Sequence, residues 1–362
     1  MSPDEILARR LQNLLLRGGP MPSPGAVLRR LGAVQSQDYG PAKWSLGLRA
    51  DNVDDATVED AFARGDLLRT HVLRPTWHFV APEDIRWMLQ LTGPRVHALN
   101  SHYYRKTGLD PATAGRATKL VAAELDGGNA LTRKELAAAL DGTIPESPSA
   151  LAYLLMHAEL EGVICSGPRR GRQHTHALLD ERVPPQPTLT RDAALGELVR
   201  RYFTSHGPAT VKDLRWWSSL TMADIRDGLQ MVGSQLAHFA VDDRTYWWAP
   251  SADPPPSAPS PVAELMQPYD ELFVGYQETK DLVDPERRWG SPQAGTTIPN
   301  GVLVVDGRLA GHWKRTISAD TLHFDVLLYE TPDGPRSDAL QVAADAQGRF
   351  LGLRATIAAK TI

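Results

Sequence analysis

The chain has 362 residues and a mass of 39.7 kDa, with 42% hydrophobic and 23% charged residues. This length fits two or three domains, and this composition excludes wholesale disorder, a collagen-like chain and a coiled coil. The formal net charge is −4, and the basic residues comprise 31 arginines and eight lysines. A mildly acidic balance argues weakly against a nucleic-acid partner. An arginine fork matches phosphate oxygens, although a genome rich in G and C is the alternative reason for the arginines.

No run of about 18 apolar residues is present, and residues 1–10 are charged and lack the apolar stretch of a secretory signal. The single cysteine, Cys165, excludes an intramolecular disulfide framework and a zinc site made of cysteines. We therefore expect a cytoplasmic protein that binds no membrane, no metal and no cofactor.

The first 125 residues begin with helical patterns. Apolar residues at helical spacing predict helices over residues 4–16, 23–31, 58–64 and 82–104. Ser23 precedes Pro24 in the arrangement that is typical of a helix start. Residues 67–80 alternate between apolar and polar side chains and are rich in β-branched and aromatic types, which predicts a strand or hairpin.

The same order of elements recurs twice before residue 250. In residues 126–185, helices over 131–140 and 149–161 precede a hairpin over 163–179, and Thr132 and Glu135 fit a capping box. In residues 188–250, the patterns predict helices over 192–205, 210–218 and 221–229, then strands over 236–240 and 245–249. Two or three helices followed by a two-stranded wing are the order of elements in a winged helix-turn-helix. We predict three tandem winged-helix units, 1–125, 126–185 and 188–250; the alternative is a generic helical domain with hairpins.

The C-terminal part has a different character. Five prolines in residues 251–261 predict a semi-rigid linker. Beyond it, Asp306-Gly307 is a strong hairpin signal. Short β-rich runs occupy residues 272–276, 301–305, 308–314, 321–329 and 350–357. We predict a small β-barrel-like domain or a sandwich over residues 262–362, and an α+β fold for the whole chain.

Common catalytic signatures are missing, since the chain has no G-x-S-x-G, no P-loop and no H-E-x-x-H. One unusual segment, VQSQDYGPAKW over residues 34–44, places Gln35, Gln37 and Asp38 where a helix should end. If it is extended, both glutamines point to one side and Asp38 to the other. A polar loop with an incidental pair of glutamines is the alternative.

Two longer runs carry a family resemblance. LGAVQSQDYGPAKWSLGLR (residues 31–49) and RTHVLRPTWHFVAPEDIRWML (residues 69–89) resemble bacterial winged-helix DNA glycosylases of the AlkZ/YcaQ type. The resemblance extends over the whole chain and implies three tandem winged helices followed by a β-barrel. It implies removal of bulky N-alkylated purines and unhooking of interstrand crosslinks, with self-resistance to a DNA-alkylating antibiotic as one setting.

The resemblance also implies which residues act. The signature is Q-x-Q in the AlkZ branch and Q-x-D in the YcaQ branch, and Gln35-Ser36-Gln37 matches the former. That branch usually has an apolar middle residue, so Ser36 is a departure. The family places a C-terminal hairpin near the active site, and residues 302–316 are similar to it.

The chemistry of an amide narrows the expected substrate. A glutamine oxygen is too weakly basic to be a general base, but it can orient a water molecule. That suffices for N7-alkylated guanine, which is cationic and leaves as a neutral base. We expect Gln35 and Gln37 to position the attacking water, with Asp38 as a rival base, His71 and His78 as possible support, and no deep base pocket around the glutamines.

Phosphate contacts are expected from basic and polar residues near the wings and hairpins. The predicted DNA-binding residues are Lys43, Arg69, Arg169, Arg170, Arg172, His174, His312, Trp313, Lys314 and Arg315. A solvated turn is the alternative for the three wing-tip arginines, and core packing is the alternative for the tryptophan.

The expected partner is double-stranded DNA that carries alkylated purines, bound by a nucleoid-associated monomer through an electropositive concave face. A non-catalytic winged-helix protein, such as a transcription regulator, is the alternative function. The helix predicted over 149–161 occupies the recognition position but is mostly apolar, which favours a scaffold over a sequence reader.

Overall fold

The computed structural model describes residues 1–187, 189–250, 260–289 and 301–362. Residues 251–259 of the predicted proline-rich linker lie outside the described residues. The fold is mixed α+β. Within the described ranges, no helix is long and apolar enough to cross a membrane.

The N-terminal region combines four helices with a small antiparallel sheet of order β1-β3-β2. Its elements are α1 (Pro3–Asn13), α2 (Pro24–Leu31), β1 (Ala33–Gln35), α3 (Tyr39–Gly47), α4 (Asp55–Arg64), β2 (Leu68–His71) and β3 (Trp77–Val80). Ser23 caps α2 as predicted, because its side chain accepts from the backbone of Ala26 and Pro24 occupies the first turn. The predicted helices and the predicted hairpin are confirmed, whereas β1 and α3 were not predicted from the sequence.

The middle region begins with two long helices and ends with a hairpin. Its elements are α5 (Ile85–Lys106), α6 (Pro111–Leu125), β4 (Leu131–Thr132), α7 (Arg133–Ala139), α8 (Ala150–Leu160), β5 (Ile164–Arg170), β6 (Gln173–Leu178) and α9 (Leu179–Arg182). The predicted capping box starts α7, since the Thr132 and Glu135 side chains each accept from the other residue's backbone N–H. Strand β6 lies between β4 and β5.

The third region repeats the order of helices followed by a hairpin. Its elements are α10 (Arg191–Ser205), α11 (Val211–Ser218), α12 (Met222–Val232), β7 (Ala237–Val241) and β8 (Arg244–Trp248). Asp242 and Asp243 have φ values of 48° and 58°, so they make a tight turn between the two predicted strands.

The C-terminal region is an open sheet covered by one helix. Its elements are β9 (Ala263–Met266), α13 (Glu271–Val274), β10 (Gly301–Val305), β11 (Arg308–Ser318), β12 (Thr321–Leu328), α14 (Gly334–Leu351) and β13 (Arg354–Thr361). The five strands have the order β13-β12-β11-β10-β9. The predicted hairpin at Asp306-Gly307 joins β10 to β11 and is confirmed.

The predicted barrel is wrong, because β9 and β13 are the two edges of the sheet and do not pair with each other. The sheet has no need to close, since α14 covers one face and buries Leu340, Ala343 and Ala344 against it. The strand predicted over residues 272–276 is the short helix α13, and the last strand starts at Arg354 instead of residue 350.

One hydrophobic core joins the first, third and C-terminal regions, whereas most of the middle region has a core of its own. At Gly47 a Cβ atom would lie 2.5 Å from the ring of Phe350, so only glycine allows α14 to pack this closely on α3. The shared core fixes the first region relative to the C-terminal sheet. It thereby fixes the surroundings of Gln35.

Candidate active site

Gln35 is the last residue of β1, and buried partners hold both its backbone and its side chain. It pairs with His78 across the β1–β3 ladder. Its N–H donates to a carboxylate oxygen of Glu271 (3.0 Å), and its carbonyl accepts from the Gln267 amide (3.1 Å). Its side-chain oxygen accepts from Nη2 of Arg74 (2.8 Å). The orientation of the Gln35 amide is therefore fixed before any ligand binds.

Arg74 is the buried centre of this arrangement. Besides Gln35, it donates to the carbonyl oxygens of Trp217 (3.4 Å) and Val274 (3.2 Å). Nη2 also lies 3.3 Å from Nε2 of His78. Because these partners come from the first, third and C-terminal regions, one guanidinium ties all three to Gln35.

His78 supports Arg74 but is not a proton donor at neutral pH. Burial and the neighbouring Arg74 charge lower the pKa of His78 to about 3. The neutral ring directs Nδ1 at the Thr76 carbonyl (2.9 Å), which leaves Nε2 to accept from Arg74. The predicted supporting role of His78 is thus limited to positioning.

Glu271 lies behind Gln35 as a buried carboxylate. Burial opposes its ionisation, but the hydrogen bond from His206 and the charges of His206 and Arg74 lower the pKa of Glu271 to about 2. It also accepts from Nε1 of Trp217 (2.9 Å). An anion at this point holds the Gln35 N–H and balances the Arg74 charge.

Ser36 and Gln37 continue along the same turn toward the surface. Ser36 donates its N–H to the carbonyl of Trp77 (2.7 Å), and its own side chain is fully buried. Gln37 is exposed, and its side-chain oxygen lies 3.4 Å from the Trp77 N–H. Both glutamines therefore contact the residues that lead into β3, one from the interior and one from the surface.

Asp38 precedes α3 and faces the C-terminal hairpin. Asp38 is exposed as a residue, but partial burial of its carboxyl raises the pKa, and the charges of Arg315 and Arg69 oppose that shift. Nη2 of Arg315 lies 4.0 Å from the point where a Cβ atom of Gly40 would stand. The hairpin of β10 and β11 thus lies beside the glutamine turn, as the resemblance implied.

A broad cleft of about 590 Å³ opens in front of Gln35. Its walls are basic and aromatic, and the side chains that define it include Arg74, Arg95, Arg215, Trp216, Tyr269 and Trp289. Among the described residues that line it, none is a carboxylate or a lysine. Gln37 is not one of the lining residues. The cleft offers cations for phosphates and flat rings for bases.

His71 was predicted as possible catalytic support, but the structure gives it a structural role. Its ring Nδ1 and its backbone N–H both bond to Glu159 of α8, the latter at 3.0 Å. Its ring packs on Trp77 with centroids 4.2 Å apart. Burial opposes ionisation of Glu159, but His71 and His176 lower the pKa of this carboxyl. His71 therefore anchors the β2–β3 hairpin to α8.

Lys43 and Arg69 are buried, which differs from the prediction that they contact DNA. The Lys43 ammonium pairs with Asp55 and Glu59, each at 2.8 Å. The Arg69 guanidinium donates to the Ser36 carbonyl (3.1 Å) and lies over the ring of Trp77 at 4.4 Å. Both cations therefore bind partners within the protein itself.

Only some of the predicted DNA-binding residues in the wing of β5 and β6 are free to contact DNA. Arg169 pairs with Glu59 (3.3 Å), and Arg170 pairs with Glu135. Arg172 is exposed in the turn of the hairpin. His174 is exposed as a residue, but its ring packs edge-on against Tyr39 at 5.0 Å, and this partial burial together with neighbouring arginines lowers its pKa to about 4. A contact between this wing and DNA stays a prediction.

The predicted DNA-binding residues of the C-terminal hairpin also fall into a buried group and a more exposed group. Trp313 is buried in the sheet core, where its indole N–H donates to the carbonyl of Val302 (3.1 Å). His312 is buried as well, with Nε2 hydrogen-bonded to the Tyr329 hydroxyl. Lys314 is exposed and Arg315 is half-buried beside Asp38, so these two remain the candidates for DNA contacts.

A family model described as "DNA glycosylase AlkZ-like" matches residues 28–350. The chain belongs to the AlkZ-like DNA glycosylase family. It is 28% identical over 329 residues to an interstrand DNA cross-link repair glycosylase of Streptomyces sahachiroi, covering 86% of this chain and 87% of that protein. The structure is similar to that of the Streptomyces sahachiroi DNA glycosylase AlkZ, with a TM-score of 0.82, 25% identity, and coverage of 99% of this chain and 100% of that chain.

The AlkZ-like assignment confirms the family resemblance and a DNA substrate. Three residues that hold Gln35 were not predicted from the sequence: Arg74, Gln267 and Glu271. Arg74 lies inside the run of residues 69–89 that carries the resemblance, but no pattern in the adjacent sequence indicates that it is buried. The other two lie more than 200 positions away from Gln35, and no local pattern links them to it.

Proposed function

We propose that this AlkZ-like protein is a monofunctional DNA glycosylase that hydrolyses the N-glycosidic bond of cationic N7-alkylated purines. The observation that carries the proposal is Gln35, held by Arg74 at the edge of a basic and aromatic cleft. The name of the Streptomyces sahachiroi relative extends the proposal to interstrand crosslinks. Bulky natural-product adducts are the other proposed substrates, in self-resistance or repair.

The mechanism follows from the chemistry of the two amides. Cleavage of the bond from sugar C1′ to purine N9 develops positive charge on the sugar, and water must attack C1′. Gln35 would orient this water through its amide oxygen, Gln37 would assist from the exposed side of the same turn, and the two amide dipoles would stabilise the charge. The Gln35 oxygen has a second lone pair for the water, because Arg74 occupies only one.

The cleft favours a leaving group that needs no proton. Its described titratable lining consists of arginines and Tyr269, and the nearby His78 is neutral. Carboxylic acids and histidines, the groups that most often protonate a leaving group near neutral pH, are missing from this described lining. An N7-alkylguanine departs as a neutral base without protonation, whereas an unmodified purine does not. Because no described lining residue is a lysine, water and not an amine is the proposed nucleophile.

We further propose that the three helix-and-hairpin regions act as winged-helix units that form a concave scaffold for double-stranded DNA. The exposed cations Arg172 and Lys314, with the half-buried Arg315, would contact phosphates. Helix α8, in the recognition position, buries most of its apolar residues. It therefore supports the enzyme proposal over sequence-specific regulation.

Single-turnover release of free 7-methylguanine from an alkylated duplex tests the proposal. Gln35→Ala and Gln37→Ala should each slow release by about 100-fold or more, because each removes an orienting dipole. Gln341→Ala, on the exposed face of α14, is the matched control and should keep full activity. Duplex affinity should stay nearly unchanged in all three. A protein that binds DNA but leaves no abasic site would instead be the transcription regulator considered as the alternative.

A further inference from the structure

A second cluster of polar side chains lies where α5 crosses α8. It consists of His97 on α5 together with His157 and Glu161 at the end of α8. One ligand atom from each residue lies within 4.8 Å of the other two. Nε2 of His97 and Oε1 of Glu161 are already 3.0 Å apart. Ligand atoms of a tetrahedral zinc site lie about 3.3 Å from one another, given zinc–nitrogen distances of about 2.0 Å.

The packing of the two helices explains why these residues meet. His157 and Glu161 are four residues apart and share one face of α8. A Cβ atom on Gly93 of α5 would lie 3.1 Å from the carbonyl oxygen of Leu160, so the helices approach closely at this point. His97 follows Gly93 by about one helical turn and therefore lies beside Glu161.

The surroundings of the histidines are those of a metal site. Nδ1 of His97 lies 2.9 Å from the hydroxyl of Tyr104, an arrangement that fixes the ring and leaves Nε2 as the ligand atom. Nδ1 of His157 is buried and has no hydrogen-bond partner among the described residues.

A path to solvent is present. A groove of about 250 Å³ runs along the contact of α5 with α8 and is lined by Gly93, His97, Leu160 and Glu161. The Glu161 side chain is 52% exposed, so an ion can reach it without a change in the backbone. Water would complete the coordination beyond the three protein ligands.

We propose that His97, His157 and Glu161 bind a divalent zinc ion that links α5 to α8. Two imidazoles and one carboxylate are a ligand set that suits zinc. The ion would stabilise the contact between the long helix of the cleft and the middle region. Arg95 and Leu99, which flank His97 on α5, line the cleft in front of Gln35. The site itself is separate from the glutamines and does not rest on the proposed function.

Zinc titration of the full-length protein, dialysed first against a chelator, tests this proposal. Calorimetry should show one tight equivalent of zinc, and zinc should raise the melting temperature. His97→Gln and His157→Gln should each weaken zinc binding by about 10-fold or more and abolish the thermal shift. His102→Gln is the matched control, since His102 is exposed on the same helix, and it should bind zinc as the unaltered protein does.

Glu161→Gln and Tyr104→Phe are milder substitutions that keep the proposal testable if the histidine variants fail to fold. The first removes the charged ligand, and the second removes the hydroxyl that fixes the His97 ring. Both should weaken zinc binding while the circular dichroism spectrum stays unchanged. Zinc binding that is absent, or that survives both histidine substitutions unaltered, would overturn the proposal.

Discussion

The side chain of Ser36 is buried between the two glutamines, and its hydroxyl has no hydrogen-bond partner in the described part of the chain. A buried hydroxyl without a partner costs roughly 1–3 kcal/mol. Ser36→Ala should therefore raise the free energy of unfolding by about 1 kcal/mol and leave base release unchanged. Thermal melting measures the gain. Ser166→Ala is the control in the opposite direction, because the Ser166 hydroxyl accepts from Arg69; equal effects of both substitutions would contradict this explanation.

Asp38 is the residue that competes with the glutamines for the role of base. A carboxylate base works only when it is ionised, so its rate falls as the pH falls through its pKa, and burial raises the pKa of Asp38. If the amides alone orient the water, the rate of base release should be flat between about pH 6 and 8. Asp38→Asn should then stay within about threefold of the unaltered enzyme. A loss as large as that in Gln37→Ala would make Asp38 the base.

At the scale of elements, the β2–β3 hairpin depends on one buried carboxylate of α8. Glu159 accepts from the His71 N–H (3.0 Å) and from the Trp77 indole N–H (3.4 Å), and Nδ1 of His176 lies 3.6 Å away. Burial opposes ionisation of this carboxyl, but His71 and His176 lower its pKa. A depressed pKa contributes stability that is present above the pKa of the unfolded chain and is lost as the pH falls toward the folded value.

Glu159→Gln should destabilise the protein by about 2–4 kcal/mol at pH 7, because it removes one partner of a buried pair. The difference in melting temperature between this variant and the unaltered protein should stay constant down to about pH 5 and shrink as the pH falls further, toward about pH 3. Glu146→Gln, at an exposed position outside the proposed zinc cluster, is the control and should change the melting temperature little across the same pH series. A gap for Glu159→Gln that is constant with pH would show that the carboxylate charge is unimportant.

The elements with strong local signals were predicted from the sequence. Capping residues and helical spacing located α2 and α7, and Asp306-Gly307 located the turn between β10 and β11. The three residues of β1 are too few for a pattern. Closure of the C-terminal sheet depends on what covers it, and the alternating strands do not show that α14 does so.

At the scale of the whole molecule, arginines join distant regions of the fold. The buried guanidinium of Arg49 forms two hydrogen bonds with the carboxylate of Asp270 (2.9 and 2.7 Å). Arg10, also buried, donates to Pro208 (2.8 Å) and Thr279 (2.7 Å). Arginine suits such sites because its planar fork satisfies several acceptors at once. The excess of arginine over lysine therefore serves the interior as well as any DNA contact.

The division between buried and exposed cations predicts the salt dependence of DNA binding. Removal of a phosphate contact lowers the slope of log affinity against log salt by about 1. Lys314→Ala and Arg172→Ala should each show this change in fluorescence titrations across a range of salt concentrations. Lys119→Ala, an exposed cation of α6 outside the proposed surface, should leave the slope unaltered. Unchanged slopes for both proposed contacts would remove them from the interface.

Only those residues of the site that belong to a short local sequence motif were predicted. Gln35 and Gln37 stand out because two amides in a short turn match a family signature. Arg74 and Glu271 act through tertiary contacts, one of which spans 236 positions in the chain. Lys43 and Arg69 illustrate the same limit, since their type and position suited DNA but their burial arises from packing against other regions.

The central claim, that two neutral amides catalyse only the departure of cationic bases, is tested most directly by one rate ratio. Single-turnover base release would be measured from matched duplexes that carry either 7-methylguanine or the neutral lesion hypoxanthine at the same position. We predict release of 7-methylguanine and no detectable release of hypoxanthine, because no described residue that lines the cleft is a carboxylic acid or a histidine. Comparable rates on the two duplexes would contradict the account, since a neutral purine needs a proton that these residues do not supply.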